Sequence, residues 1–297
     1  MPSLALLQAV LAALGGGVGD EVAGLAPREK AALVVVAGLP APAGVGGVIV
    51  RGYTRDESRP RGAIVFADQE GGEIRAYPRL PPKPDAAGIA TEAKGFALGE
   101  ATGRALRRAG VHVDLAPVLD AADGPLGRRH FRSAAIGIAF ARGLAAGGAG
   151  SCAKHFPGLG STLKSTDVAR ARGILRGWEL AGFRAAVEAG VPCVMVGHAV
   201  YPRLGRRPAS LEPATYDLLR GMGFDGVAIT DSLDVIGRRD VARWARLAVR
   251  AGADLILVPE AGDAERAIEA LIPLARAGEL DVHVERVVRF RRSLGLS

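Results

Sequence analysis

Six polar side chains lie where apolar segments end, and their types suit acid–base or nucleophilic chemistry. They are Asp68 after AIVFA, Asp120 after VHVDLAPVL, Lys154 and His155 after AGSCA, His198 after VPCVMVG, and Asp231 after GVAIT. A carboxylate can serve as a nucleophile or a base. Burial of a lysine at such a position costs desolvation free energy unless an anion or a polar ligand compensates for it. Their shared placement predicts a polar ligand pocket.

Several of these residues also have a structural interpretation. Asp231 could be the N-cap of a helix that follows its strand. Asp68 could cap the turn at Gly71 and Gly72. His198 could be a buried histidine whose ring nitrogens are satisfied by the protein. We favour the pocket because residues of these types collect at the same end of so many segments.

Eight apolar segments alternate with polar loops and amphipathic stretches, which predicts a parallel sheet covered by helices. The segments are residues 33–38, 47–50, 63–68, 111–117, 149–155, 191–198, 226–231 and 253–259. Eight such units closed on themselves form a (β/α)8 TIM-type barrel, in which the carboxyl ends of the strands carry the active site.

One connection departs from the ideal barrel. Residues 51–62, RGYTRDESRPRG, barely suffice for a crossover and show little helical pattern. We therefore expect an abbreviated, irregular or antiparallel second β/α unit. No linker interrupts the chain, so we expect residues 1–297 to form a single barrel domain.

Composition bounds the function classes. The net charge is +7, but the basic residues are scattered and aromatic residues are few, which favours a solvated surface over nucleic-acid binding. The two cysteines, Cys152 and Cys193, lie in predicted buried strands, and we expect them to be reduced core thiols. Residues 1–22 are apolar but lack a basic leader, so we expect a first helix, no membrane segment and a cytoplasmic location.

The motifs resemble those of glycoside hydrolase family 3, specifically its single-domain bacterial β-N-acetylglucosaminidases. The resemblance rests on VGGVIV, FADQEGGEIR, GVHVDLAPVLD, AKHFPGLG, VMVGHAVYP, PASLEPATYDLLRGMGFDGVAITDSL and AGADLILVP, in this order along the chain. It implies that Asp231 is the nucleophile of a retaining glycosidase. It also implies sugar contacts from five residues, Asp68, Arg75, Arg129, Lys154 and His155, and His198 is our sixth substrate-binding candidate.

The chain departs from the family at its acid/base loop. The family's usual motif is KHFPGHG followed by DSH. The histidine of DSH is the acid/base, and the aspartate of DSH orients it. In this sequence Leu159 replaces the loop histidine and Ser165 replaces the orienting aspartate. Asp167 stands where the family has its catalytic histidine. Asp167 could itself be the acid/base, the protein could bind sugars without efficient cleavage, or Asp167 could merely cap its loop. We favour the first, because a carboxyl group has no tautomer that needs fixing.

We therefore predict a retaining exo-β-glycosidase acting on terminal β-linked N-acetylglucosamine, with Asp231 as nucleophile and Asp167 as acid/base. It requires no metal ion or organic cofactor, and its partner is a small carbohydrate, not nucleic acid or a membrane. Two alternatives are a silent carbohydrate-binding protein and a lyase or aldolase that uses Lys154 as a Schiff-base amine. We expect Asp120 and His112 to be structural and His283 to lie at the surface.

Overall fold

Ten short strands are present in the part of the chain described by the computed structural model, which covers residues 17–121, 124–166, 170–260 and 262–296. They are β1 (Val35–Ala37), β2 (Gly47–Val50), β3 (Ile64–Ala67), β4 (Gln69–Gly71), β5 (Ile74–Arg75), β6 (Val113–Asp114), β7 (Gly150–Phe156), β8 (Cys193–Val196), β9 (Val227–Thr230) and β10 (Ile256–Val258). Eight of them form one parallel sheet, and β4 pairs with β5 in a separate antiparallel hairpin.

The parallel sheet curls into a nearly closed barrel. Its strand order is β10-β1-β2-β3-β6-β7-β8-β9. Apart from the pairing of the last strand, β10, with the first, β1, neighbouring strands follow one another in sequence once the hairpin is set aside. The two end strands meet through a parallel bridge between Ile229 and Leu255, and the Thr230 N–H donates to the Leu255 carbonyl at 3.0 Å. Together with the helices outside it, this sheet confirms the predicted (β/α)8 TIM-type architecture.

Ten helices surround the barrel within the described residues. They are α1 (helical at 17–24), α2 (Pro27–Leu33), α3 (Glu92–Arg108), α4 (Ala134–Ala146), α5 (Gly177–Glu188), α6 (Pro213–Arg220), α7 (Asp234–Gly237), α8 (Val241–Ala251), α9 (Asp263–Arg276) and α10 (Asp281–Ser293). Short 3-10 turns span Ala86–Gly88, Gly127–Arg129, Ala209–Leu211 and Arg238–Asp240. Residues 1–16, the larger part of the apolar N-terminal stretch, lie outside the described residues. No helix found among residues 17–121, 124–166, 170–260 and 262–296 has the length and apolar character to cross a bilayer.

The second β/α unit is abbreviated, as predicted, but β2 is not antiparallel. Residues 51–62 form turns without a helix, and β2 pairs in parallel with both β1 and β3. The connection at 38–46 also has no helix. Two parallel strands normally need a longer crossover than residues 51–62 provide. The short spacing therefore suggested that β2 could be antiparallel.

Two apolar layers hold the barrel together, one inside the sheet and one between the sheet and its helices. The inner layer includes Phe66, Met195 and Ile229, and Val287 and Phe290 of α10 pack against it. Successive residues of a strand face opposite sides of the sheet, so each strand contributes to both layers.

Helices α3 and α4 pack closely through glycines. A Cβ added at Gly143 would lie 2.2 Å from the Phe96 carbonyl oxygen, and one added at Gly99 would lie 2.1 Å from that of Phe140. These contacts leave no space for a side chain at either position.

The cysteines correct a prediction made from the sequence. Cys152 of β7 and Cys193 of β8 are direct register partners, and they are joined by a disulfide. In-register positions on neighbouring strands place two side chains on the same face. The expected reduced thiols are therefore wrong for this structure.

The two histidines expected outside the site do lie elsewhere, but His283 is not at the surface. It is 8% exposed, and its Nδ1 contacts Asp254 Oδ1 at 3.0 Å. Asp254 is fully buried and also binds Arg220 and Arg286. His112 is half-buried just before β6, and its Nδ1 accepts the Val65 N–H at 2.9 Å.

Replacing Gly143 with alanine should lower the free energy of unfolding by about 1–3 kcal/mol, because the added methyl forces α3 and α4 apart. The matched control is Gly19→Ala in α1, where no atom lies within 4 Å of an added Cβ. There the substitution should be neutral or slightly stabilising. Urea denaturation measures both, and equal stabilities for the two variants would contradict the close packing of α3 and α4.

Candidate active site

Three charged residues continue the inward-facing positions of the barrel strands beyond its apolar interior. Asp68 comes two residues after Phe66, Lys154 two after Cys152, and Asp231 two after Ile229. Because alternate residues of a strand share a face, these side chains belong to the inner face at the carboxyl end of the barrel. An apolar floor below a charged layer is the arrangement of a TIM-barrel active site.

A buried ion cluster forms one side of this layer. The Lys154 Nζ lies 2.6 Å from Asp68 Oδ1 and 2.7 Å from Glu70 Oε1. Glu70 also accepts two hydrogen bonds from Arg129, each 2.8 Å long. We refer to these four residues as the ion cluster.

Within the ion cluster, Glu70 and Lys154 are each kept charged by their partners. Burial alone would raise the pKa of Glu70, but Lys154 and Arg129 outweigh it and bring that pKa down to about 2. Burial alone would lower the pKa of Lys154, but Asp68 and Glu70 outweigh it and raise that pKa. Lys154 is therefore a fixed cation, which is unsuited to an amine nucleophile.

His155, the next residue of β7, is held by a different carboxylate. Its Nδ1 lies 2.7 Å from Asp120 Oδ2, and Asp120 also accepts the main-chain N–H groups of His155 and Leu159 at 3.0 and 2.7 Å. The carboxylate orients the ring with Nδ1 as the donor and leaves Nε2 for other contacts. The β7–β8 register shifts between Ala153 and Phe156, and such irregularities re-aim side chains, so neighbouring residues of β7 reach separate partners.

Asp231 lies directly after β9 and remains partly exposed. The Ser232 N–H donates to its Oδ1 at 2.8 Å, and its own N–H donates to the Val196 carbonyl at 2.9 Å. Burial opposes its charged form, but His155 and His198, with the Ser232 N–H and Lys154, together outweigh burial and lower the pKa of Asp231. An ionised carboxylate at this position can attack an electrophilic carbon.

His198 is fixed through both ring nitrogens. Its Nδ1 lies 2.7 Å from the Ser210 hydroxyl and its Nε2 lies 2.8 Å from the Ser232 carbonyl oxygen. Because a carbonyl only accepts, Nε2 carries a proton. His198 thus positions the segment that follows Asp231.

Comparison with known proteins agrees with this geometry. Residues 49–290 match the family described as Glycosyl hydrolase family 3 N terminal domain. The chain belongs to glycoside hydrolase family 3.

Sequence and structure relatives support the same family. A beta-hexosaminidase from Stenotrophomonas maltophilia (strain R551-3) is 33% identical over 226 residues, which cover 67% of this chain and 68% of that protein. A family 3 beta-N-acetylglucosaminidase from Paenibacillus sp. str. FPU-7 has a TM-score of 0.82 at 27% identity, covering 92% of this chain but only 63% of the longer one. A beta-N-acetylhexosaminidase from Beutenbergia cavernae DSM 12333 has a TM-score of 0.80 at 26% identity, covering 91% of this chain and 99% of that one.

Within this family 3 chain, the predicted site residues do not all meet. Arg75 donates to the main-chain carbonyls of Gly72 and Pro78 at 2.7 and 2.5 Å, within and just after the β4–β5 hairpin, and makes no hydrogen bond to the ion cluster. Asp167 lies outside the described residues, with residues 168 and 169. Leu159, which stands where the family has its loop histidine, is 1% exposed.

Two buried carboxyl groups next to these residues were missed in the sequence. Glu70 lies two positions after Asp68, and its 3% exposure with two cationic partners marks it as part of the site. Asp114 of β6 accepts the Gln69 N–H through Oδ1 at 3.0 Å, whereas its Oδ2 is buried without a hydrogen-bond partner among the described residues. Burial raises the pKa of Asp114 to about 8, so the group is largely protonated at neutral pH.

Protonation of Asp114 predicts a pH dependence of stability. The folded chain retains a proton that the unfolded chain releases near about pH 4, so the free energy of unfolding falls by up to about 1.4 kcal/mol per pH unit between about pH 4 and 8. Asp114→Asn removes this loss, and its stability relative to wild type should rise from about pH 5 to about pH 8 in urea titrations. The exposed Asp217→Asn serves as a control with no such trend, and a pH-independent difference for Asp114→Asn would mean that the carboxyl is ionised.

Proposed function

We propose that this chain is a retaining exo-β-N-acetylhexosaminidase that releases terminal β-linked N-acetylglucosamine from cell-wall fragments or related glycans. The observation that carries the proposal is Asp231, a partly exposed residue at the barrel's carboxyl end whose carboxyl pKa is lowered chiefly by His155 and His198. Family membership and the names of the hexosaminidase relatives support the sugar.

In the proposed mechanism, Asp231 is the nucleophile. One oxygen of its carboxylate forms a bond to the anomeric carbon while the bond from that carbon to the leaving-group oxygen breaks. Water then displaces the carboxylate from the same side as the departed group, so the configuration is retained. The lowered pKa keeps Asp231 ionised and able to attack at neutral pH.

The ion cluster and His155 are proposed to hold the sugar. The Asp68 side chain is 37% exposed, whereas that of its partner Lys154 is 2% exposed. Asp68 is therefore placed to accept sugar hydroxyls while its contact with Lys154 orients it. Charged groups with fixed positions stabilise an oxocarbenium-like transition state without reorganising when it forms. Arg129 and His155 are proposed as further substrate contacts. His198, expected from the sequence to bind substrate, is instead proposed to position the segment after Asp231, because Ser210 and Ser232 engage both of its ring nitrogens.

Asp167 is proposed as the acid/base that protonates the leaving oxygen. The proposal rests on its place in the sequence, where the family has its catalytic histidine. The nearest described residues on either side, Thr166 and Arg170, both line a cavity that His198 also lines. The alternative is a degenerate member that binds sugars without cleaving them efficiently.

Other expectations from the sequence stay predictions. They are the single domain over residues 1–297, the absence of nucleic-acid and membrane partners, and the cytoplasmic location. The Cys152–Cys193 disulfide weighs against that location, because such bonds persist mainly in oxidising compartments.

Hydrolysis of aryl β-N-acetylglucosaminides with good and poor leaving groups tests the roles of both carboxylates. Asp231→Asn should reduce kcat for both substrates by more than about 10³-fold, as loss of a nucleophile does. Asp167→Asn should lower the rate on the poor leaving group by about 10²- to 10⁴-fold and that on the good one much less. Azide should accelerate the reaction of Asp167→Asn with the substrate that has the good leaving group, because azide attacks the glycosyl-enzyme without needing a general base.

The exposed Asp240→Asn is the matched control and should behave as wild type. Equal measurable rates for wild type and Asp231→Asn would contradict Asp231 as the nucleophile, whereas no hydrolysis by wild type would leave a carbohydrate-binding protein. Trapping of Lys154 by borohydride with a carbonyl compound would instead favour the imine mechanism.

A further inference from the structure

The loop between β7 and α5 spans residues 157–176 and carries Asp167, the proposed acid/base. We refer to it as the acid/base loop and to residues 158–160 as the loop origin. Its two ends are joined to each other, because the Ile174 N–H donates to the Ser161 hydroxyl oxygen at 2.7 Å. The position of the loop origin therefore affects both ends of the loop.

Two carboxylates hold consecutive N–H groups of the loop origin. The Leu159 N–H donates to Asp120 Oδ1 at 2.7 Å. The Gly160 N–H donates to Glu179 Oε1 at 2.8 Å. Because Asp120 also orients the His155 ring, the loop origin is connected to the site through a shared partner.

Glu179 lies in the first turn of α5, where a glutamate commonly stabilises its own helix. Here the residue is 3% exposed, and its Oε1 accepts the N–H of Gly160, 19 positions earlier in the chain. The main-chain N–H of Ala121, next to Asp120, also donates to the Glu179 carboxyl group. The side chain thus joins α5 to the loop origin and to the segment that carries Asp120.

Burial of this carboxyl group is unfavourable in itself. Burial and the nearby Asp120 carboxylate raise the pKa of Glu179, and the Gly160 and Ala121 N–H groups offset the rise only in part. A buried polar group lowers stability unless hydrogen bonds compensate for its lost hydration. An apolar side chain would serve packing alone, so the contact with the loop origin accounts for a carboxyl group here.

The glycines of the loop origin leave room for the Glu179 carboxyl group. A Cβ added at Gly158 would lie 2.8 Å from Glu179 Oε1, and one added at Gly160 would lie 2.5 Å from it. The Gly158 carbonyl accepts the Tyr201 hydroxyl at 2.6 Å. Side chains from three separate segments therefore hold the loop origin.

We propose that Glu179 is a positioning residue for acid/base catalysis, and that its hold on the Gly160 N–H fixes where the acid/base loop begins relative to His155. This inference rests on the proposed glycosidase function, in which the group that protonates the leaving oxygen belongs to this loop. Misplacement of a catalytic group by about 1 Å can lower a rate by about 10²-fold. A good leaving group needs little protonation and is much less sensitive to that misplacement.

The test measures kcat/KM for two aryl β-N-acetylglucosaminides and takes the ratio of the poor to the good leaving group. This ratio does not depend on the fraction of enzyme that is folded. Glu179→Ala should lower the ratio by about 10- to 100-fold. Glu179→Gln keeps an acceptor oxygen for the Gly160 N–H and should recover most of the loss. The matched control is Glu188→Ala, an exposed position on the same helix, which should keep the wild-type ratio.

Two kinetic results would overturn the inference. One is a wild-type ratio in Glu179→Ala with both substrates hydrolysed, which would leave the glycosidase proposal intact. The other is a loss in Glu179→Ala that Glu179→Gln does not recover, because the hydrogen bond to Gly160 would then not be its cause.

Hydrogen exchange of the Gly160 amide, followed by NMR relative to the Thr230 amide of the barrel, tests the contact without turnover. Glu179→Ala should make this exchange about tenfold faster, the change expected when one hydrogen bond is lost. Glu188→Ala should leave it unchanged. If wild type hydrolyses neither substrate, the glycosidase proposal is contradicted. Faster exchange would even then support Glu179 as the anchor of the loop, whereas unchanged exchange would overturn the inference.

Discussion

The pairing of one buried ammonium with two carboxylates is the constraint on which the site depends. Lys154 is 2% exposed and could not remain charged there without Asp68 and Glu70. Removing one partner from a buried pair typically costs about 3–5 kcal/mol, because the other charge stays buried without compensation. The three residues therefore fix one another, and Arg129 completes the balance of two positive and two negative charges.

The barrel supplies the geometry that makes this pairing possible. Parallel strands end at one face, so residues far apart in sequence meet there, and the apolar interior below them excludes water from the layer. His155 and Asp120 form a second pair beside the ion cluster, and both histidines near Asp231 favour its charged form. The result is an ionised carboxylate at the edge of a fixed set of donors and acceptors, which is what electrostatic stabilisation of a glycosyl transition state requires.

The sequence predicted what depends on local pattern. Apolar segments gave the strands, and the polar residues at their ends gave Asp68, Lys154, His155 and Asp231. Features that depend on register or on a distant partner could not be read in this way. Glu70 joins the site because the β4–β5 hairpin places it against Lys154 and Arg129, and Cys152 meets Cys193 because β7 and β8 pair in that register. His283 is buried because Asp254, 29 residues away in sequence, accepts it.

The most direct measurement of the central claim is covalent trapping of the nucleophile. A 5-fluoro-N-acetylglucosaminyl fluoride loses its anomeric fluoride when a carboxylate attacks, and the electron-poor sugar slows the second displacement, so the glycosyl-enzyme accumulates. Peptide mass spectrometry after proteolysis should place one added sugar on Asp231 in GVAITDSL. A sugar on any other carboxylate, or none despite turnover of an aryl glycoside, would contradict the account.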